Sequence, residues 1–145
     1  MDEDSCLHLT GRCIDVEALK RSVAGREHGA VCVFLGTARD HSDQREVVEL
    51  CYECYPQMAE ESIEDILQRA AKRFSGCRVG AIHRLGLCPL GEASVAVVAA
   101  AAHREAAFAA CRFVIDTLKK ETPIWKQEVY ADGKSWVGEP NDPGI

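Results

Sequence analysis

The segment Ile124 to Val137, IWKQEVYADGKSWV, decides the fold class. Its first seven residues read as a strand, Ala131–Asp132–Gly133–Lys134 carries the Asp-Gly turn signal, and Ser135 to Val137 returns as a short second strand. Two strands joined by a tight turn lie antiparallel, with no helix between them. Pro123, just before, breaks a helical pattern running from His103–Arg104 to about Lys120, with Ala107, Phe108, Cys111, Val114, Ile115 and Leu118 as its apolar face. Working back from there, Ala93 to Ala102 and Arg78 to Arg84 read as strands separated by the loop Leu85 to Glu92. Gln57 to Phe74 reads as a helix, with Pro56 suited to its first turn and Met58, Ile63, Ile66, Leu67, Ala70 and Phe74 at helical spacing. Val47 to Tyr55 and Gly29 to Gly36 (GAVCVFLG) read as strands, the latter buried; with the polar loop Thr37 to Glu46 they suggest a long-looped hairpin. Asp15 caps a short helix, Val16 to Ala24. The order is roughly βαββαββαββ. Strands that follow one another without helices favour mixed or antiparallel sheet, hence an α+β fold and not a doubly wound one.

The 145 residues fit one domain, with 1–5 and 139–145 expected as loose ends. Seventeen Lys+Arg against 23 Asp+Glu give a net charge of −6, which argues against a broad nucleic-acid surface or an anionic membrane surface. Met1 leads into Asp2, Glu3 and Asp4, with neither a basic start nor an apolar stretch behind it, so a cytoplasmic protein is expected. In that setting the eight cysteines are expected as thiols. Cys51–Tyr52–Glu53–Cys54 has the CxxC spacing, but residues three apart in a strand point to opposite faces, and no second pair completes a tetrahedral metal site. No metal and no cofactor are expected.

Walker, dinucleotide, nucleophile-elbow and HExxH motifs are absent. What remains is a set of basic residues where elements end. Arg39 follows a strand. His103 and Arg104 open a helix, where free N–H groups and the positive end of the dipole suit phosphate; a capping histidine beside a solvated arginine reads equally well. Lys119 and Lys120 close that helix, which dipole complementarity alone explains as readily. In Ile124 to Val129, Lys126 and Glu128 share one face and Trp125 and Val129 the other. Packing Trp125 and Val129 inward would leave Lys126 and Glu128 either as an exposed ion pair or as a lysine whose proton is managed by an acid. His83–Arg84 ends a strand and reads as structural.

Five segments in this order, GAVCVFLGTARD from Gly29, YECYPQMAEESI from Tyr52, IHRLGLCPLGEASVAV from Ile82, AHREAAF from Ala102 and IDTLKKETPIWKQE from Ile115, resemble the large, catalytic subunit of molybdopterin synthase, the MoaE family. The resemblance covers about residues 29 to 137. It implies an α/β-hammerhead with additional antiparallel sheet, and a homodimer forming the core of a heterotetramer with two small ubiquitin-like carriers. Each carrier would bring sulfur as a C-terminal Gly-Gly thiocarboxylate, which passes to cyclic pyranopterin monophosphate (precursor Z) to form the molybdopterin dithiolene. By the same resemblance Lys119 and Lys126 are the catalytic lysines. Arg39, His103 and Arg104 would cradle the pterin phosphate, and Thr37, Ala38, Gln127 and Glu128 join them as substrate-binding residues. The tail after Trp136, VGEPNDPGI, has no basic residue to add to the pocket. The rival readings are a phosphate-ester hydrolase or transferase acting without a carrier, a noncatalytic subunit that captures a ubiquitin-like tail, and an acidic scaffold.

Overall fold

A computed structural model describes residues 6–42 and 44–138. The ends read as loose from the sequence lie outside these residues. In chain order the elements are β1 (Leu9–Thr10), α1 (Val16–Val23), β2 (Ala30–Thr37), β3 (His41–Ser42), β4 (Arg45–Cys54), α2 (Pro56–Arg73), β5 (Arg78–Arg84), β6 (Gly86–Cys88), β7 (Ala93–Ala101), α3 (Arg104–Glu121), β8 (Ile124–Tyr130) and β9 (Ser135–Val137). They build two sheets, one ordered β1-β5-β7-β2 and one ordered β3-β4-β8-β9 with β6 also on β4. The class is α+β, as expected. No helix among the described residues is long and apolar enough to cross a membrane.

β7 organises the first sheet. Its sequence ASVAVVAAA is apolar at consecutive positions, which suits a strand covered on both faces, and Ser94 through Ala101 are all buried. The period of two divides these side chains between two cores. Val95, Val97, Ala99 and Ala101 meet Ile63, Ile66, Val114 and Leu118 of α2 and α3. Ala96, Val98 and Ala100 meet Ile14, Leu19 and Val23 around α1. Each fully buried valine is worth about 1.5–3 kcal/mol of transfer free energy, so this strand is a major source of stability. Asp15 caps α1 as expected, its carboxylate accepting the Ala18 N–H at 3.0 Å. Pro56 occupies the first turn of α2.

Three expectations need correction. β2 and β4 form no hairpin: β2 pairs with β7, whereas β4 pairs with β3, β6 and β8 in the other sheet. A long connection fixes no register. Nor is β2 fully buried. It is an edge strand that α1 does not reach, so Val31, Val33 and Leu35 stay 37–45% exposed while Cys32 and Phe34 pack into the core. Met58 and Phe108, placed on apolar helix faces by spacing, point outward and are 57% and 64% exposed. Short pairings at β1, β3 and β6 went unread, because two or three residues carry no periodic signal.

Gly80 sets how closely α1 lies on this sheet. A Cβ there would sit 2.7 Å from Val23 Cγ2 and 3.1 Å from Leu19 Cδ1. Gly80→Val therefore has to lift α1 off β5, and chemical denaturation is expected to show a loss of about 1–3 kcal/mol, typical of overpacking; unchanged stability would mean that α1 is not seated on Gly80.

Candidate active site

β4 and β8 place the candidate chemistry. Their antiparallel register sets Tyr52 opposite Lys126 and Leu50 opposite Glu128. The alternation of β8 turns Lys126, Glu128 and Tyr130 inward, to 8%, 3% and 7% exposure. This reverses the expected orientation, in which Trp125 and Val129 packed inside. Trp125 is instead half-buried, edge-on to Tyr55 with ring centroids 5.8 Å apart. The charged face can turn inward because it arrives already paired: Lys126 Nζ lies 3.1 Å from Glu128 Oε1, and the Tyr130 hydroxyl donates to Glu128 Oε2 at 2.9 Å. Gln127, by the same alternation, faces the other way.

A cavity of about 280 Å³ opens above this pair, lined by Phe34, Leu35, Gly36, Thr37, Arg39, His41, Val47, Leu50, Tyr52, Lys126 and Glu128. It joins the end of β2 in one sheet to β4 and β8 in the other. Thr37 and Arg39 are exposed at its rim. Ala38, between them, is buried and fixed by backbone hydrogen bonds, its N–H to Glu92 O at 3.0 Å and its carbonyl from Gly91 N at 2.7 Å. Its contribution is to hold Thr37 and Arg39 in place.

Behind the cavity wall lies a polar layer that the sequence reading assigned to structure. His83 is 2% exposed, and its ring packs edge-on against Tyr52 at 5.1 Å between centroids. His83 Nδ1 is 2.8 Å from the Arg84 carbonyl, which can only accept, so the proton sits on Nδ1 and Nε2 keeps its lone pair. Burial pushes the His83 pKa down to about 4, against the Arg84 carbonyl; the positive charge of nearby Lys119 lowers it further. Lys119, in the last turn of α3, is thus near enough to His83 for its charge to be felt there. Burial likewise raises the Tyr52 phenol to about 12, opposed by a hydrogen bond with Ser94 and assisted by Cys88 and Glu128. Ser94 in turn donates to Gly36 O at 3.1 Å, tying β7 to the strand end at the rim.

The structure therefore brings Thr37, Arg39, Lys119, Lys126 and Glu128 to one end of the molecule. His103 and Arg104 lie elsewhere within the same chain. Ala30 of β2 pairs with Ala101 and Thr37 with Ala93, so the start of α3 is at the opposite end of β2 from the cavity. That separation is roughly 23 Å along the strand, and Arg104 and Lys119 are roughly 22 Å apart along the helix axis. Both His103 and Arg104 are exposed, and His103 makes no side-chain capping bond. Tyr52 and Tyr130 were missed as site residues. The signal for Tyr130 was present in the period-two run Lys126, Glu128, Tyr130; that for Tyr52 required the cross-strand register.

The buried neutral His83 has a measurable consequence. Its folded pKa lies below that of an unfolded histidine, so the unfolded chain binds more protons between about pH 6.5 and 4. Its contribution is fully present above that window and lost as pH falls through it, up to about 3 kcal/mol in total. Denaturation midpoints measured from pH 7 to 4.5 should fall more steeply in the wild type than in His83→Gln; parallel curves would show that His83 is not buried in its neutral form.

Comparison with known proteins fits this architecture. The family described as MoaE protein matches residues 9–121. The chain is 39% identical over 131 residues to molybdopterin synthase catalytic subunit 1 of Mycobacterium tuberculosis, covering 90% of this chain and 89% of that protein. It is 51% identical over 108 residues to the molybdopterin synthase catalytic subunit of Oryza sativa subsp. indica, covering 74% of this chain; it spans only 56% of that longer relative. Among solved structures, molybdopterin synthase from Staphylococcus aureus superposes with a TM-score of 0.87 at 26% identity, covering 95% of this chain and 98% of the other. The two-sheet α/β-hammerhead architecture is shared. The chain belongs to the MoaE family, that of the molybdopterin synthase catalytic subunits.

Proposed function

We propose that this chain takes sulfur from the C-terminal thiocarboxylate of a small ubiquitin-like carrier and adds it to cyclic pyranopterin monophosphate, opening the cyclic phosphate and forming the molybdopterin dithiolene. The observation that carries the reading is the buried Lys126–Glu128 pair on the floor of a cavity rimmed by Arg39 and approached by Lys119. Thiocarboxylate and phosphate are both anions and repel each other unless fixed cations hold them together in a site that excludes water. Arg39 at the rim suits the phosphate, with a guanidinium fork that matches its oxygens. Lys126, held by Glu128, orients the carrier tail and substrate. Lys119 gives and takes the proton as sulfur adds and oxygen leaves.

The placement of His103 and Arg104 supports a homodimer as the working unit. One chain cannot bring them to its own Lys119, but a second copy can supply them. The exposed apolar strip Val31, Val33 and Leu35 on edge strand β2 suits burial against such a copy. A cavity of about 280 Å³ is also at the lower limit for a small-molecule site, and a wall contributed by a second chain would enlarge it.

The direct test is conversion of precursor Z by this protein with thiocarboxylated carrier, against carrier alone and protein alone. Product is expected only when both are present, and turnover without carrier would favour a phosphate-ester hydrolase instead. Lys119→Ala is expected to lose about 10²- to 10⁴-fold in rate while remaining folded, the range for removing a general acid–base group; near-normal product formation would remove that role. Arg104→Ala and Lys119→Ala, each weak alone, are expected to recover about a quarter of wild-type activity when coexpressed, because mixed dimers of a two-fold assembly regain one intact site. No recovery would place Arg104 outside the shared pocket.

A further inference from the structure

Tyr130 lies where no role in the reaction has been assigned to it. It shares the inward face of β8 with Lys126 and Glu128 and is 7% exposed. The two oxygens of the Glu128 carboxylate are divided: Oε1 meets Lys126 Nζ at 3.1 Å, and Oε2 accepts the Tyr130 hydroxyl at 2.9 Å. A carboxylate held at both oxygens cannot turn about its own axis without breaking a charge-assisted hydrogen bond in a low-dielectric interior. The phenol is itself held from outside. The Arg45 guanidinium carbon sits 3.7 Å from the Tyr130 ring centroid, and Arg45 Nη2 is 3.0 Å from Asp132 Oδ2 in the turn that follows β8. Asp132 Oδ1 accepts the Lys134 N–H at 2.9 Å, so the turn fixes the carboxylate that fixes the arginine. A guanidinium over a tyrosine face is attracted by the ring quadrupole and covers its outer side.

We infer that Tyr130 is a positioning residue for this site: through Glu128 it sets the direction of the Lys126 ammonium into the cavity, with Arg45 clamping the ring. The catalytic part of this inference rests on the synthase reading; the geometric part does not. Lys126 stands on a long flexible stem, and a rotation of Glu128 would carry with it the oxygen that its ammonium meets. The rigid phenol removes that freedom. The orientation of the ammonium is thereby settled by a side chain that does not itself line the cavity.

Tyr130→Phe removes only the hydroxyl and keeps the ring under Arg45. Its kcat is expected to fall about tenfold, the effect of one charge-assisted hydrogen bond. The KM for thiocarboxylated carrier should stay within about twofold, and the thermal midpoint close to wild type. A crystal structure of the variant is expected to show the Glu128 carboxylate rotated and Lys126 Nζ displaced. Wild-type kcat in the folded variant overturns the inference. So does a variant structure in which Lys126 and Glu128 keep their rotamers and contact, whatever the activity. If the wild-type protein makes no molybdopterin, the synthase reading falls, and the variant structure still decides the positioning role. Should Tyr130→Phe fail to fold, Arg45→Gln, a substitution at a partly exposed side chain, is expected to lower kcat in the same direction, and wild-type kcat there overturns the clamp.

Discussion

A lysine that is only 8% exposed must have its charge answered within the protein, and that requirement shapes the second sheet. Glu128, two residues on and on the same face, answers it, and the remaining carboxylate oxygen is answered by Tyr130. The strand alternation that makes this possible also forces Trp125, Gln127 and Val129 outward. Replacing such a pair with apolar residues is often neutral or even favourable for stability. Its presence is therefore weak evidence of a stabilising device.

The two sheets have different tasks, and their junction makes the site. β7 supplies rigidity, being apolar on both faces and covered by α1 on one side and by α2 and α3 on the other. The second sheet, with its small core around Val47, Leu50, Tyr52 and Cys88, supplies the polar groups. Tyr52 and His83 join them across 5.1 Å, and Ser94 anchors the strand end at Gly36. The charge of Lys119 is felt at His83 in the same layer. A neutral, buried imidazole with its proton fixed on Nδ1 leaves the local positive charge to the lysines.

His103 and Arg104 stand at the opposite end of α3 from Lys119. They are exposed, and that end of the helix has no side-chain cap. An antiparallel helix laid along β7 necessarily separates its ends by the length of the strand, so a pocket using both ends needs two chains. The half-exposed apolar face of β2 lies along the same edge.

The sequence by itself determined which segments become long helices and strands, because periodicity, Asp15, Pro56, Pro123 and the Asp132–Gly133 turn act locally. It also determined the α+β class and, through five motif segments, the family. Only the tertiary structure decided which strands pair and which faces turn inward. GAVCVFLG reads as buried, yet whether a helix covers each face depends on elements distant in the chain, and α1 stops short of β2. WKQE reads with tryptophan inside; the opposite orientation was decided by Tyr52 and Leu50 arriving opposite from β4 and by Tyr130 closing the far side of Glu128. Placing Lys119 and Arg104 on one helix was legible from the sequence. That they stand at opposite ends of the sheet, roughly 22 Å apart, became a constraint on the site only once strand register and helix direction were fixed in space.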